Sequence, residues 1–509
     1  MVMPIGKTPA DTIAFANKSV LGTHPIASQD PARPVCHFTA TAQWMNDICA
    51  AIYHDGYYHI FYQFNPFDDQ CLNWSEVHAC WGHARSRDMI HWEHLPIAIA
   101  PSEDTDCLQC VSGSAVHRGD GLPVLFYGHT PIPKDGVKPP RQQRCAIPLD
   151  SELRTWETQD VGLIPGQSGI PEDIAGGWTD MFVFHDAGKT FAIFKEANGM
   201  VMQAMDSMLK QWQVVGRIDG VNGECPNFVK LQDKWVLIRS TYPMTYQVGD
   251  FDPDQISFDM NGSPGVLDYS YGLDMQRKPS WDYNRYQMCD GVLVCQYGAP
   301  EAYSQSRGFY ATNLLTTPDD RVIMFGWVGG FKSKGWNGCM SLPRELSIDQ
   351  AGRLIQNPAR EVQMLRGRQY QLDTCVLNDE KCVVPGFAGD AMEILVDVKL
   401  PHASCFSLSV CDPQKNMSAV LIQYNGMSLN ANGTSIPQVY SDDHECLKLQ
   451  LFYDKTVFEL FINDGRQVVT RVAYPASEKM IVTLASKGRA EVVSCSVYAL
   501  ETALVEGQI

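Results

Sequence analysis

The sequence predicts an all-β protein in two parts, a five-bladed β-propeller over residues 1–360 and a β-sandwich over residues 365–509. Three observations carry that reading. Long helical periodicity is scarce, while short apolar or alternating runs bounded by Gly, Pro, Asp and Asn recur throughout. An Asp- or Gly-containing turn followed by an aromatic-rich strand repeats five times before residue 360. Past residue 365 the chain changes to longer alternating strands joined by tight hairpins.

The repeated units follow in order. Asp55-Gly56 precedes Tyr57–Phe64, Asp120-Gly121 precedes Pro123–Tyr127, and Asp186-Ala187-Gly188 precedes Phe191–Phe194. Gln232-Asp233-Lys234 precedes Trp235–Ile238, and Asp319-Asp320 precedes Val322–Trp327. Successive turns lie 65, 66, 47 and 86 residues apart. Each gap has room for about four short strands, the content of one blade. Tight hairpins recur in any all-β chain, so the unequal spacing leaves another β architecture open. In the second part, Phe406–Val410 and Ala419–Tyr424 alternate, and Leu447–Tyr453 pairs with Thr456–Ile462 through Asp454-Lys455. Asn463-Asp464-Gly465 then turns the chain into Gln467–Tyr474, as expected of a sandwich packed closely on the propeller.

Composition bounds the partners. Forty Lys plus Arg against 58 Asp plus Glu give a net charge of −18, which disfavours nucleic acid and anionic membrane surfaces. A hydrophobic content of 45% with 19% charged residues excludes disorder. No apolar run approaches the ~18–20 residues needed to cross a bilayer. Met1 to Val20 carries Pro4, Lys7, Asp11 and Lys18 and lacks the apolar stretch of a secretory signal, which predicts a cytoplasmic protein. Seventeen scattered cysteines, an odd number, read as mostly reduced thiols. Cys107 and Cys110 form a lone C-x-x-C without a second pair, so no metal is expected, and no phosphate loop or dinucleotide fingerprint calls for a cofactor.

Chemistry enters through three acids. Asp47 lies eight residues before Asp55, Asp180 six before Asp186, and Glu224 nine before Asp233. In a propeller these positions head the strands that line the central channel, so the three carboxylates converge at one mouth. The matching stretches of the other two blades are Val111-Ser112-Gly113-Ser114 and Phe309-Tyr310-Ala311, polar and aromatic groups suited to a sugar pocket. Converging carboxylates split their pKa values, keeping one protonated as an acid beside an anionic nucleophile. That pairing suits glycoside hydrolysis with retention, which needs carboxyl groups ~5–5.5 Å apart. Each acid taken alone reads more readily as a turn residue that satisfies backbone amides; three in matching positions favour function.

The surrounding motifs resemble glycoside hydrolase family 32. They are Trp44-Met45-Asn46-Asp47, Tyr62-Gln63-Phe64-Asn65-Pro66, Trp81-Gly82-His83-Ala84, His91-Trp92-Glu93-His94-Leu95-Pro96, Ser112-Gly113-Ser114 and Glu224-Cys225-Pro226. Gly308-Phe309-Tyr310-Ala311, Phe325-Gly326-Trp327, Leu342-Pro343-Arg344-Glu345-Leu346 and Val457–Gly465 follow in order, so the resemblance spans about residues 40 to 475. It implies an invertase, inulinase, levanase or fructosyltransferase that cleaves sucrose and passes fructose to water, sucrose or fructo-oligosaccharides. It also implies Asp47 as nucleophile, Glu224 as acid/base and Asp180 as transition-state stabiliser. Asn46, Gln63, Trp74, Ser112, Thr179 and Trp327 are the expected substrate-binding residues.

Two departures stand out. Ile48 follows the nucleophile where the family usually has Pro, and Thr179-Asp180-Met181 replaces its usual Arg-Asp-Pro. Losing the Arg removes a charged donor to fructose hydroxyls, which suggests a subsite altered in favour of a sugar acceptor. A fructan hydrolase and a fructan-binding protein with weak catalysis are the alternatives, and the chain is expected to be a monomer or homodimer.

Overall fold

The computed structural model describes residues 5–70, 74, 77–174, 178–270, 308–401, 404–415, 417–441, 445–475 and 477–503, with the backbone of two further strands, Arg285–Cys289 and Val292–Gln296. All five expected hairpins are present, and each supplies the first two strands of a separate antiparallel sheet. Blade 1 opens with Gln43–His54 and Tyr57–Asn65, blade 2 with Cys107–His117 and Pro123–Pro131. Blade 3 opens with Thr179–Asp186 and Lys189–Lys195, blade 4 with Glu224–Leu231 and Lys234–Ser240, and blade 5 with Phe309–Thr316 and Val322–Val328. The first turn illustrates why they form: Asp55 (φ 46°) and Gly56 (φ 82°) both take the left-handed conformation that matches strand twist in a two-residue hairpin.

Each opening strand packs against that of the next blade, and the fifth packs against the first. The ring of inner strands is closed, which is the defining feature of a propeller. Trp336–Asn337 adds a parallel pairing to Gln43-Trp44, so a segment returning from blade 5 latches onto blade 1. Aromatic side chains fill the space between blades: Phe184, Phe191, Phe228, Trp235 and Phe251 form one cluster of edge-to-face and stacked rings.

From Arg366 to Leu500 two sheets face each other as a sandwich. One is ordered Arg366–Leu372, Arg489–Leu500, Ala391–Lys399, Cys446–Asp454, Val457–Ile462, Gln467–Val472; the other centres on Met417–Tyr424, Cys405–Asp412 and Ile481–Lys487. Leu408, Val420, Leu451, Leu460, Val482 and Val497 meet between them, all buried.

One element was not legible in the sequence. Helix α1 (Pro9–Ala27) precedes the propeller. Thr8 and Asp11 form a reciprocal capping box and Pro9 starts the helix, signals that outweigh a weak apolar face. Only Thr12, Ala16, Val20 and Ala27 are buried, and polar bonds dock it: Thr12 Oγ1 donates to the Pro101 carbonyl, and Gln43 Nε2 donates to Ser19 and Thr23 hydroxyls. No described helix is long and apolar enough to cross a membrane. The described cysteines are all free thiols.

A buried ionic network joins propeller to sandwich. Arg344, from the Leu342–Leu346 motif, lies 3.1 Å from Asp268 and donates through Nε to Glu459 at 3.0 Å; all three side chains are fully buried. His37 bridges Asp454 (2.9 Å) and Glu459 (3.1 Å), and Asp454 accepts the backbone N–H groups of Val35, Cys36 and His37. Burial alone would depress the His37 imidazole, but its two carboxylate partners hold it up at about 9. Its contribution is therefore complete below its ordinary value of 6.5 and is lost as pH rises through about 9.

Removing one member of such a network strands the others without compensation, at a cost of about 3–5 kcal/mol. Arg344→Met is expected to lower the thermal unfolding midpoint strongly, whereas Lys134→Met, at an exposed ion pair with Asp106, changes it little. The wild-type midpoint declines between neutral pH and pH 9–10, and His37→Phe flattens that decline.

Candidate active site

The three acids do converge. A cavity of about 350 Å³ is lined by Asn46, Asp47, Gln63, Trp74, Val111, Ser112, Arg141, Thr179, Asp180, Lys195, Glu196 and Glu224. The backbone reason is a β-bulge at the same height in all five inner strands. Asn46-Asp47 stand opposite the single residue Gln63, and Ser112 is extra between the pairs Val111–Gly128 and Gly113–Tyr127. Asp180-Met181 lie between the pairs Thr179–Lys195 and Phe182–Ile193, Cys225-Pro226 between Glu224–Ser240 and Asn227–Ile238, and Ala311-Thr312 between Tyr310–Trp327 and Asn313–Phe325. A bulge re-aims a side chain that regular alternation would send into a blade face. Asp180 (φ 55°), Cys225 (φ 44°) and Ala311 (φ 49°) sit in the left-handed region, which for such residues stores about 1–3 kcal/mol each.

Groups unpaired by the bulges find partners on neighbouring blades. Ser112 Oγ donates to Asp47 Oδ2 at 2.6 Å, and the Cys225 N–H donates to Asp180 Oδ2 at 3.0 Å. Ser114 Oγ donates to the Met181 carbonyl and accepts from the Val183 N–H. The Ala311 N–H donates to Ser240 Oγ, and Asn313 Nδ2 donates to the Cys49 and Gly113 carbonyls. The ring is stitched through residues that line or adjoin the cavity.

Electrostatics distinguish the carboxylates. Asp180 is buried, and burial raises its pKa; Lys195 opposes the rise, Glu224 adds to it, and the Cys225 N–H and Arg141 oppose it. The buried Cys225 thiol reaches both Asp47 Oδ2 (3.5 Å) and Asp180 Oδ2 (3.8 Å), and burial beside these anions pushes it well up, so it remains a neutral donor. Glu224 is held at both oxygens: Lys195 Nζ donates to Oε1 at 2.7 Å, and Tyr310 OH lies 2.9 Å from Oε2 and 2.9 Å from the Ser240 carbonyl. Burial would lower the Lys195 ammonium, yet Asp180 and Glu224 raise it, so it stays charged. Among the described residues no group of three His, Cys, Asp or Glu is placed to hold a metal ion.

Of the expected substrate-binding residues, Asn46, Gln63, Trp74, Ser112 and Thr179 line the cavity. Asn46 Oδ1 and Thr179 Oγ1 are buried atoms without a hydrogen-bond partner. Trp327 is a correction. It is fully buried and packs edge-on against Trp44, which packs in turn against Trp74. Its indole is core filling one layer behind the wall.

Arg141, Lys195 and Glu196 are cavity residues that sequence reasoning missed. Lys195 had one usable signal, its place at the end of the strand pairing with Thr179-Asp180. Arg141 comes from the loop entering the third strand of blade 2, and no local pattern marks it.

Comparison with known proteins gives the same frame. The model for the glycosyl hydrolases family 32 N-terminal domain matches residues 37–358, and that for the family 32 C-terminal domain matches residues 361–499. A sucrose-6-phosphate hydrolase of Escherichia coli is 28% identical over 474 residues, covering 89% of this chain and 91% of that protein. A levanase of Bacillus subtilis is 26% identical over 528 residues, covering 92% of this chain and 70% of that protein. The solved β-fructofuranosidase of Bombyx mori shares the fold with a TM-score of 0.75 at 20% identity, covering 98% of this chain and 100% of that one. Fructan 1-exohydrolase IIa of Cichorium intybus does so with a TM-score of 0.74 at 21% identity, covering 94% and 99%.

The cavity wall is tight. A Cβ added at Gly128 would stand 2.1 Å from Thr179 Oγ1 and 2.5 Å from Val111 Cγ2. Overpacking of this kind costs about 1–3 kcal/mol, so Gly128→Ala is expected to lower the unfolding midpoint by several degrees and to weaken ligand binding together.

Proposed function

The chain belongs to glycoside hydrolase family 32, and from that premise we propose a β-fructofuranosidase that acts on sucrose by retention and passes the fructosyl unit to water or a sugar acceptor. The observation that carries this reading is the division of labour among the acids. Asp47 is oriented by the Ser112 hydroxyl, while Glu224 sits across the cavity with both oxygens fixed and Asp180 is buried beside them.

In the first step Asp47 attacks the anomeric carbon of the fructosyl unit as Glu224 gives its proton to the glycosidic oxygen, releasing glucose and leaving a fructosyl ester on Asp47. Asp180 accepts hydrogen bonds from fructose hydroxyls that strengthen as positive charge develops on the ring. In the second step Glu224 removes a proton from the acceptor, which displaces Asp47. The carboxylates and the acceptor supply every proton and electron pair required.

A cavity of about 350 Å³ is at the small end of ligand pockets, which favours a disaccharide over an internal stretch of polymer. The departures at Ile48 and Thr179 motivate transfer to sugar beside hydrolysis. A second reading has a specific observation behind it: Arg141 on the cavity wall offers a cation to a phosphorylated sucrose, the substrate named for several relatives.

Incubation with concentrated sucrose tests the reading. Glucose exceeding free fructose, with a trisaccharide appearing, is the outcome expected of transfer; equal glucose and fructose would restrict the protein to hydrolysis. Asp47→Ala is expected to lose about 10⁴-fold or more in kcat. Ser112→Ala loses one hydrogen bond to a charged group, about 10- to 100-fold in kcat/KM. An unchanged product ratio in Thr179→Arg removes that position from the explanation of transfer. A kcat/KM for sucrose 6-phosphate far above that for sucrose, abolished by Arg141→Ala, would establish the second reading.

A further inference from the structure

We infer that Lys195 is the positioning residue for Glu224, and that it supplies from the neighbouring strand the positive charge that position 179 lacks. The inference rests on Glu224 being the acid/base of the proposed reaction. Lys195 and Thr179 are cross-strand partners at the open end of blade 3. The same bulge that turns Asp180 into the cavity lies between Ile193 and Lys195 in the pairing, and it brings the lysine to the cavity wall. Lys195 Nζ reaches Glu224 at 2.7 Å and is near enough to Asp180 to oppose the rise in its pKa.

The groups around Glu224 come from blades 3, 4 and 5. Blade 3 gives Lys195 at 2.7 Å and Asp180, with Glu196 3.6 Å from the ammonium. Blade 4 gives Cys225 and the Ser240 carbonyl, and Tyr242 stacks on Tyr310 with ring centroids 5.1 Å apart. Blade 5 gives Tyr310; one step further out, Asp47 of blade 1 shares the Cys225 thiol with Asp180, and Arg141 of blade 2 lies beside Asp180. Carboxylates outnumber cations here, and Lys195 is the ammonium in direct contact with Glu224.

Two consequences follow. The salt bridge holds one rotamer of the carboxylate, so the acid is aimed before substrate arrives. The positive charge also favours the anion, which limits the pH range over which Glu224 still carries the proton it must donate. Tyr310 accommodates both states, since its O–H can donate to an ionised Oε2 or turn to the Ser240 carbonyl and accept from a protonated one. Lys195 thus trades acid strength against orientation, and sets where on the pH axis the enzyme works.

The test is the pH profile of kcat/KM with sucrose. In Lys195→Met the alkaline limb, where Glu224 loses its proton, is expected to move to higher pH by about one unit or more, and kcat falls more than KM rises. Lys195→Arg retains the wild-type limb. The double variant Lys195→Met/Thr179→Arg returns the limb toward wild type by restoring the charge across the strand pair. If Lys195→Met does not fold, Lys195→Gln, which keeps a donor without the charge, carries the same expectation. A limb that stays in place in the neutral variants, or a double variant no better than the single, overturns the inference. Absence of sucrose turnover in the wild type would instead strike the functional reading on which it rests.

Discussion

The constraint on which the site depends is a bulge repeated at one height in five converging strands. Regular alternation would send every second side chain into a blade face and leave the channel mouth lined by whichever residues fell there. An extra residue at this height breaks the alternation where Asp47, Ser112 and Asp180 turn inward. Bulges free backbone groups, and buried groups must be paired. Here they are paired across blades, by Ser114, Ser240 and Asn313 and by the cavity carboxylates themselves. The bonds that orient the cavity carboxylates are thus among those that close the ring, and the left-handed backbone at Asp180, Cys225 and Ala311 is sustained by that closure.

Charge is handled differently at the two ends of the architecture. Between propeller and sandwich, Arg344 and His37 sit among Asp268, Asp454 and Glu459 with no access to water, an enclosed hydrogen-bonded set that ties one domain to the other. At the cavity, the carboxylates face Lys195 and Arg141 with space left for a ligand. A protein of net charge −18 gathers positive groups where they hold anions in place, and the two sets differ in whether anything can enter.

Much of the propeller was legible because its hairpins are local. Asp55-Gly56 and Asp186-Ala187-Gly188 announce left-handed turns, and the aromatic runs after them can only be strands. The three acids were legible because each lies a short way before one of those turns, by eight, six and nine residues. Lys195 and Arg141 were not, because one depends on cross-strand register shifted by a bulge and the other on where a loop returns. Trp327 misled because an aromatic in a sugar-enzyme motif suggests a stacking platform, while its side chain faces Trp44 in the core. Helix α1 escaped notice because a capping box and polar docking, rather than an apolar stripe, hold it.

The central claim is that Asp47 carries the fructosyl group between donor and acceptor. The most direct measurement is mass spectrometry of peptides from Glu224→Gln enzyme, rapidly quenched during reaction with a fructoside bearing a good leaving group. Such a donor needs no acid for the first step, and deprotonation of the acceptor is impaired, so the intermediate accumulates. The account predicts a hexosyl adduct on the peptide containing Asp47, absent when Asp47 is also replaced by Ala. Turnover of that donor with no adduct on this peptide, or an adduct on another residue, would contradict it.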